Sequence, residues 1–362
     1  MHLRTVVGIV ELSVWHGYDP ATHHWGCPMR QQWGLSAHQQ LSPGLQDRLA
    51  FTVTATGTYE QAASVAAKWG CATDDATLHA LAQRLGAGAE AHTQQRLAAR
   101  PTEITAQRAP SALTVLMLDG WQVRQRGPGW GRKRTNKPRV EWHELKTGVA
   151  YRHDQAGQTA GGRGLLAQKL VVSWQGEPLE LARRLHGEAL RHGLARSREV
   201  LAVADGAPWI WNVVADRWAG ATELLDFYHA SQHLWELGRA LSRGDEAQAA
   251  AWVEPRRHRL RHGKERALLR ELAALRPPRG AAGELVRRQQ RYFAGHAQRM
   301  NYDAVARRGW PIGSGAVESA CRQRQCRFKR SGQFWTATGL RHLAALVEAQ
   351  ANGHWDELWQ LN

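Results

Sequence analysis

The sequence predicts an α/β fold in which a mixed β-sheet carries acidic residues, with a helical domain before the sheet and a helical insertion within it. Three observations predict this fold. Apolar runs of β-forming residues end at Asp119, Asp205 and Asp226, as buried strands do when they deliver acids to one edge of an open sheet. Helix-capping signals precede the first run. After the last run, the apolar spacing becomes helical.

Composition limits the classes of protein that the chain can belong to. Its 362 residues are enough for two or three domains with a substantial core. The 48 Lys and Arg residues against 32 Asp and Glu residues give a net charge of +16, which favours a polyanionic partner such as DNA. Four scattered cysteines argue against a disulfide framework and a zinc site, and no apolar run approaches the ~18 residues of a membrane helix. We therefore predict a cytoplasmic protein without membrane contact.

Residues 1–41 are predicted to form a β-ribbon, because β-forming residues alternate partially between His2 and Trp15. A ribbon that starts beside Met1 is compatible with the loss of an upstream partner strand. A truncated N-terminal domain is therefore one interpretation of this segment.

Residues 42–86 are predicted to form three short helices. Ser42 caps a helix that has Pro43 at its first position, Thr58 begins a capping box, and a third helix runs from about Asp74 to Leu85. This arrangement suits a helix-turn-helix that places its last helix in the major groove of DNA. Short helical hairpins also occur without DNA, so that alternative stays open. Residues 87–110 are predicted to form a helical linker.

Residues 111–229 are predicted to form the core of the protein. The first strand is expected to end at Asp119, followed by a glycine-containing loop that presents charge to phosphates or forms a solvated hairpin tip. A third strand from Leu166 to Trp174 precedes a helix with apolar residues at Leu181, Leu185 and Ala189. The resulting order, β-β-β-α-β-α-β-α, is that of an RNase H-like sheet of the retroviral integrase type. The loop residues predicted to bind DNA are Arg126, Arg132, Lys133 and Arg134.

Residues 230–310 are predicted to form an α-helical insertion, in which Trp252 lies within a basic region and is a candidate for stacking on DNA bases. Residues 311–362 contain a helix that bears Glu318, with Ser314 as its N-cap, and a closing helix. Basic residues on the next turns of the Glu318 helix are predicted to contact DNA. They are Arg324, Arg327, Lys329 and Arg330.

The acids are predicted to bind metal. Phosphodiester cleavage needs an activated oxygen and a neutralised leaving group, and two Mg²⁺ ions supply both, with Mn²⁺ as a substitute. Mg²⁺ prefers hard oxygen ligands, and Asp119, Asp205 and Glu318 would provide them. Asp226 competes with Asp205, which is preferred because the Gly that follows it mirrors Asp119-Gly120 and leaves the backbone open to metal and DNA. Alternatively, these aspartates are ordinary turn and cap residues.

Several blocks of the chain resemble a known family. Asp205-Gly-Ala-Pro-Trp-Ile-Trp, Leu225-Asp-Phe-Tyr-His-Ala and Ile312-Gly-Ser-Gly-Ala-Val-Glu-Ser-Ala-Cys are similar to signature blocks of ISKra-type bacterial insertion-sequence transposases, a DDE group allied to Mutator-like elements. The resemblance covers most of the chain. It implies that Asp119, Asp205 and Glu318 form a DDE triad, with Asp226 and His229 near the site. It also implies a homodimer or higher oligomer that acts on double-stranded DNA at the bacterial nucleoid.

These inferences predict a Mg²⁺-dependent transposase that cuts element ends and joins the 3′-OH to target DNA. Two alternatives stay open. The first is an RNase H-like nuclease that hydrolyses strands without joining them. The second is a domesticated or truncated DNA-binding protein without turnover, for which salt-sensitive binding would be the expected property.

Overall fold

The computed structural model describes residues 1–35, 40–99, 112–162 and 164–359. The chain divides into two compact units. Unit 1 consists of Met1–Ala99, Gln122–His143 and Gln323–Asn362, and unit 2 of Arg100–Trp121 and Glu144–Arg322. Within the described ranges, no helix combines the length and apolar character that crossing a membrane requires. The part of the predicted linker from residue 100 to residue 110 lies outside the described residues.

The N-terminal segment forms two short antiparallel hairpins and one short helix. In the first hairpin, Leu3 pairs with Val10, and in the second, Tyr18 pairs with Trp25. The expected β-structure is therefore present as two hairpins. Their bounds are β1 His2–Thr5, β2 Gly8–Glu11, β3 Gly17–Asp19 and β4 His24–Gly26, and helix α1 spans Pro28–Gln32.

Three helices follow: α2 Pro43–Ala55, α3 Tyr59–Lys68 and α4 Asp75–Ala98. Their beginnings agree with the sequence prediction, because the Ser42 hydroxyl accepts the Leu45 N–H at 3.3 Å and the Thr58 hydroxyl accepts the Gln61 N–H at 3.0 Å. The end of the third helix was predicted wrongly. It continues past Leu85 to Ala98, so residues 87–98 are helical, as predicted for the linker, but they belong to the third helix.

A five-stranded mixed sheet has the strand order β11-β10-β5-β6-β9. β10 is parallel to β5 and to β11, whereas β9 is antiparallel to β6. Its strands are β5 Leu113–Arg126, β6 Val140–Arg152, β9 Leu170–Trp174, β10 Glu199–Ala204 and β11 Thr222–Leu225; β7 Ala156–Gln158 and β8 Gly164–Leu166 form a separate hairpin. Helix α5 spans Pro178–Arg191 and helix α6 spans Pro208–Arg217. The order of elements matches the prediction.

The core of unit 2 lies between the sheet and helices α5 and α6. Leu116 and Leu118 of β5 and Ala202 of β10 contribute to this core, together with Leu185 of α5 and Ile210 of α6. All of them are almost completely shielded from solvent, as the apolar spacing of the strands and of α5 predicts. This core fixes the backbone on which the acidic residues lie.

Two strand boundaries differ from the prediction. β5 does not end at Asp119 but continues to Arg126. Beyond Asp119 the side chains alternate between the two faces of the sheet, as they do in a strand. Trp121, Val123 and Gln125 are buried, and the side chains between them are more exposed. The third sheet strand begins at Leu170 and not at Leu166.

Beyond the sheet the chain is helical, as predicted. Helix α7 packs against α8 and α10, and α9 packs against α8 and α10. The bounds are α7 Phe227–Leu241, α8 Glu246–Arg261, α9 Glu265–Ala274, α10 Ala281–Gly295, α11 Tyr302–Arg307, α12 Gly315–Phe328 and α13 Ala337–Ala351.

Helices α4 and α13 pack against each other in unit 1. At Gly86 the backbones approach so closely that an added Cβ would lie 2.4 Å from the carbonyl oxygen of His342. The neighbouring Gly88 has open space around it. Partnership with α13 explains why α4 continues through two glycines that would weaken an isolated helix.

This contrast predicts opposite effects on stability. Gly86→Ala is expected to lower the free energy of unfolding by about 2 kcal/mol, because a methyl group in a filled contact forces the backbones apart. Gly88→Ala is expected to raise it by about 1 kcal/mol through helix propensity. Urea unfolding of the two variants checks this, and equal effects of the same sign would contradict the close approach.

Candidate active site

Three acidic residues lie side by side at one edge of the sheet. Leu118 of β5 pairs with Ala204 of β10, and Ala204 also pairs with Leu225 of β11. Asp119, Asp205 and Asp226 each follow directly after one of these residues. Because neighbouring strands lie about 4.8 Å apart, the three acids occupy adjacent positions. The sequence pattern anticipated this arrangement for β10 and β11, although Asp119 lies within its strand and not at its end.

Glu318 of helix α12 lies near Asp119, because its charge contributes to the pKa of that residue. Burial raises the pKa of Asp119 most, and the charges of Asp205 and Glu318 raise it further. A hydrogen bond from the Gly120 N–H, 2.7 Å from the carboxylate, and one from the thiol of Cys321 act in the opposite direction. Cys321 lies one turn after Glu318 and on the same side of the helix. Asp205 and Glu318 therefore both lie close enough to Asp119 for their charges to act on its carboxyl group.

Asp226 has a different set of contacts. Its carboxylate is buried, and one oxygen accepts the His229 N–H at 2.7 Å, which caps α7. The other oxygen accepts the N–H of Ser314, whose hydroxyl donates to the Glu318 carboxylate at 2.9 Å. The Ser314 side chain therefore binds the Glu318 carboxylate, and the Ser314 carbonyl oxygen accepts the N–H groups of Val317 and Glu318 in the first turn of α12. Because both oxygens of Asp226 are engaged by backbone N–H groups, Asp205 is the better candidate for a metal ligand.

The sequence suggested that the glycines after Asp119 and Asp205 leave the backbone open to metal and DNA. The structure contradicts this, because a side chain lies close to the backbone at each glycine. A Cβ on Gly120 would lie 2.4 Å from a carboxylate oxygen of Glu144. Gly206 has φ +101°, and a Cβ there would lie 2.8 Å from Nε2 of His296. Glycine is favoured at position 206 by its left-handed conformation, whereas at position 120 the close atom is the end of the flexible Glu144 side chain, which can shift.

Aromatic and histidine side chains border the acids. The Tyr292 hydroxyl donates to the carbonyl oxygen of Asp205 at 3.0 Å, and its ring stacks on His233 at 3.8 Å between centroids. Burial raises the pKa of Tyr292, and the charges of Asp205 and Asp226 add to this rise. Nε2 of His233 lies 3.2 Å from Nε2 of His229. Sequence reasoning missed His233, Tyr292 and His296, because each lies inside or just after a helix without a local motif.

The donor set suits a hard divalent cation. Carboxylate oxygens are the ligands that Mg²⁺ prefers, and it needs only a few of them because it keeps several waters. Burial raises the pKa of Asp119 most, and the charges of Asp205 and Glu318 raise it further, so a bound cation would relieve the repulsion among these carboxylates. Asp119, Asp205 and Glu318 would hold it.

The predicted DNA-binding residues divide into exposed and buried groups. Arg324 and Arg327 are buried, which corrects their assignment as surface contacts. The Arg327 guanidinium donates to the carbonyl oxygens of Val53 at 3.3 Å and Gly57 at 3.1 Å, so it supports the packing of unit 1. Trp252 is half-buried with the Arg256 guanidinium 3.9 Å above its ring. The exposed residues are Arg126, Arg132, Lys133, Arg134 and Arg330, and Lys329 is half-buried.

The glycine-containing segment between β5 and β6 forms a tightly folded turn. The N–H of Gly127 donates to the Arg139 carbonyl at 2.9 Å, and that of Gly129 donates to the Pro138 carbonyl at 3.0 Å. A Cβ on either glycine would lie within 2.5 Å of a backbone oxygen. The segment is therefore a folded hairpin tip, and contact of its exposed Arg and Lys side chains with phosphates stays a prediction.

The raised pKa of Asp119 predicts a cost in stability. A carboxyl group whose folded pKa lies above its ordinary value of 3.8 stabilises the fold only while protonated, and this contribution is lost as pH rises through the raised value. Asp119→Asn mimics the protonated form, so its melting temperature in chelator should exceed that of the natural protein at neutral pH and approach it in acid. Calorimetry at several pH values checks this, with the surface variant Asp216→Asn as control. A variant that is less stable at neutral pH would contradict it.

Comparison with known proteins adds a distant structural likeness. No family model matches the chain, and no curated protein matches it. The chain is similar to the Drosophila P element transposase in its strand transfer complex, with a TM-score of 0.27 and 10% sequence identity over 92% of this chain and 83% of that chain. A likeness of this size carries no argument about function, which must come from the chain's own residues.

Proposed function

We propose that the protein is a Mg²⁺-dependent DNA transposase that cuts element ends and joins the 3′-OH to target DNA. The observation that supports this proposal is that Asp119 and Asp205 follow paired residues of adjacent strands, and that the pKa of Asp119 is raised by burial and then by the charges of Asp205 and Glu318, which are remote from it in sequence. The strand order of the sheet is compatible with an RNase H-like core, and the caps of α2 and α3 are compatible with a helix-turn-helix. The ISKra-type group is the finer assignment that we propose.

Each side chain has a role in this proposal. Two bound Mg²⁺ ions would activate the attacking oxygen and stabilise the leaving oxygen. Asp119 lies in β5 and Asp205 directly follows the adjacent strand β10, so the sheet would hold their carboxylates in place for metal binding. Glu318 is exposed and is oriented by the Ser314 hydroxyl, while Asp226 fixes Ser314. His229 lies next to this group and is the candidate for proton transfer.

The charge of the chain supports DNA as the substrate. The net charge of +16 favours binding to a polyanion, and the exposed Arg and Lys side chains of the β5–β6 turn would contact phosphates. We propose that the protein acts on double-stranded DNA as a homodimer or higher oligomer, because cutting two element ends requires two sites.

A joining assay tests the function. Duplexes with the DNA that flanks this reading frame are incubated with Mg²⁺ and a target plasmid, and the products are scored as joined, nicked or uncut. Joined products are the expected result. Nicks without joining would indicate the hydrolytic nuclease instead, and salt-sensitive binding without nicking would indicate a DNA-binding protein. Either result would contradict the proposal.

A further inference from the structure

Unit 1 presents aromatic rings and cations on one surface. Trp142 of β6 is 55% exposed, and Trp130 of the β5–β6 turn is 39% exposed. Trp130 lies 4.9 Å from Phe334 between ring centroids. The Arg124 guanidinium lies 5.8 Å from the Trp142 ring and 5.1 Å from the Phe334 ring. We call this the Trp142 surface; its residues are Arg124, Arg126, Trp130, Trp142, Lys329 and Phe334.

The fold holds these side chains in place. The buried face of β5 carries Val123 and Gln125, so Arg124 and Arg126 lie on the opposite face. The segment before α13 pairs with this strand: the Arg126 N–H donates to the Trp335 carbonyl at 2.8 Å, and the Trp335 N–H donates to the Arg124 carbonyl at 3.2 Å. Trp335 is buried, and its indole N–H donates to the Phe328 carbonyl at 2.8 Å. Phe334 precedes the buried Trp335, so its side chain lies on the opposite face of this segment, next to Arg124.

The charge around the surface is strongly positive. Residues 122–143 contain seven Lys and Arg residues and one acid, and residues 323–336 contain four Lys and Arg residues and no acid. The single acid, Glu141, lies 3.4 Å from the His143 ring. Arg324 and Arg327 of this set are buried, so the cations that can contact phosphates are exposed or half-buried ones, among them Arg124, Arg126 and Lys329.

The mixture of rings and cations selects the ligand. A duplex presents phosphates but hides the faces of its bases, so it would use the cations and leave exposed indole rings unused. A single strand offers both phosphates and base faces, and aromatic side chains bind such bases without sequence preference. The Lys329 ammonium lies 5.4 Å from the Trp142 ring and the Arg126 guanidinium 5.3 Å from the Trp130 ring. This spacing places a phosphate contact beside each ring.

We propose that the Trp142 surface binds unpaired bases of single-stranded DNA by stacking on Trp130 and Trp142, with phosphates held by Arg124, Arg126 and Lys329. The inference rests on the proposed function only in taking DNA as the ligand. It does not depend on the acidic residues of unit 2. The surface would capture strand ends that have separated from their partner.

The test measures binding of the full chain to labelled DNA by fluorescence anisotropy in chelator. The probes are an oligo(dT) of about 20 nucleotides, longer than a typical site of roughly 4 to 16 nucleotides, and a duplex of the same length. Trp142→Ala is expected to weaken oligo(dT) binding about tenfold and duplex binding less than about twofold, since stacking on one base is lost. Trp142→Phe should restore most of the affinity.

Trp25→Ala is the matched control, because Trp25 is 73% exposed in the same unit but lies on β4. It should leave oligo(dT) binding unchanged. Equal losses for single strand and duplex, or no loss, would overturn the proposal. Binding of anionic phosphatidylglycerol vesicles that is equally sensitive to Trp142→Ala would overturn it in favour of a lipid surface. Asp119→Asn separates the two proposals, because it should abolish cleavage and retain oligo(dT) affinity.

Discussion

Asp119→Asn and Glu318→Gln are each expected to lower Mg²⁺-dependent cleavage of element-end DNA by about 10³-fold or more. A bound metal ion contributes several kcal/mol to stabilising the transition state, and each 1.36 kcal/mol corresponds to a factor of ten in rate. Both replacements keep the size of the side chain but remove a negative ligand from the group around Asp119. The measurement is the single-turnover rate of strand cleavage at saturating protein.

Two controls make this result specific. Asp216→Asn removes an acid that pairs with Arg217 at the surface of unit 2, and it should cleave at the natural rate. Affinity for uncleaved duplex should stay within about twofold for both active-site variants, because phosphate contacts dominate binding. Cleavage at the natural rate by either variant would show that the replaced carboxylate is not a ligand of the proposed metal site.

Asp226→Ala is expected to have the second largest effect, on stability and activity together. The replacement leaves the N–H groups of His229 and Ser314 without their carboxylate partner in a buried place. Loss of a cap costs about 1 kcal/mol, and a buried hydrogen bond to a charged group contributes roughly 1.5 to 3 kcal/mol, so we expect a loss of about 3 kcal/mol. Cleavage should fall as well, by about 10- to 100-fold, because Ser314 no longer orients Glu318.

Asp245→Ala is the matched control for Asp226. Asp245 also caps a helix, accepting the Gln248 N–H at 3.0 Å, but it is exposed at the beginning of α8. Its replacement should cost about 1 kcal/mol and leave cleavage unchanged. If Asp226→Ala destabilised no more than Asp245→Ala, the link from Asp226 through Ser314 to Glu318 would have no energetic role.

The strands of the sheet were predictable because their signals are local. The runs before Asp205 and Asp226 are apolar and short, and the structure ends both strands there. The continuation of β5 beyond Asp119 was missed because its arginines suggested a loop and hid the alternation. The length of α4 was missed because Gly86 suggested an end, whereas a partner helix 256 residues later in the chain stabilises it.

The positions of Arg324 and Arg327 show what the sequence analysis overlooked. Val317, Ala320 and Cys321 of α12 are buried, and Arg324 and Arg327 continue the same stripe at intervals of three residues. The spacing was readable, but their charge suggested a surface role. By contrast, the contacts that organise the site join residues far apart in the chain. The bonds from Ser314 to Asp226 and from Tyr292 to Asp205 have no local pattern from which they could be inferred.

The central claim is that three carboxylates from two strands and one helix hold divalent metal. Fe²⁺ with ascorbate and peroxide cuts a polypeptide next to the site where the iron binds, so mapping the cuts tests the claim without a DNA substrate. We expect cuts near Asp119, Asp205 and Glu318 together, suppressed by excess Mg²⁺ and lost in Asp119→Asn. Cuts elsewhere, or cuts near the two aspartates without any near Glu318, would contradict the claim.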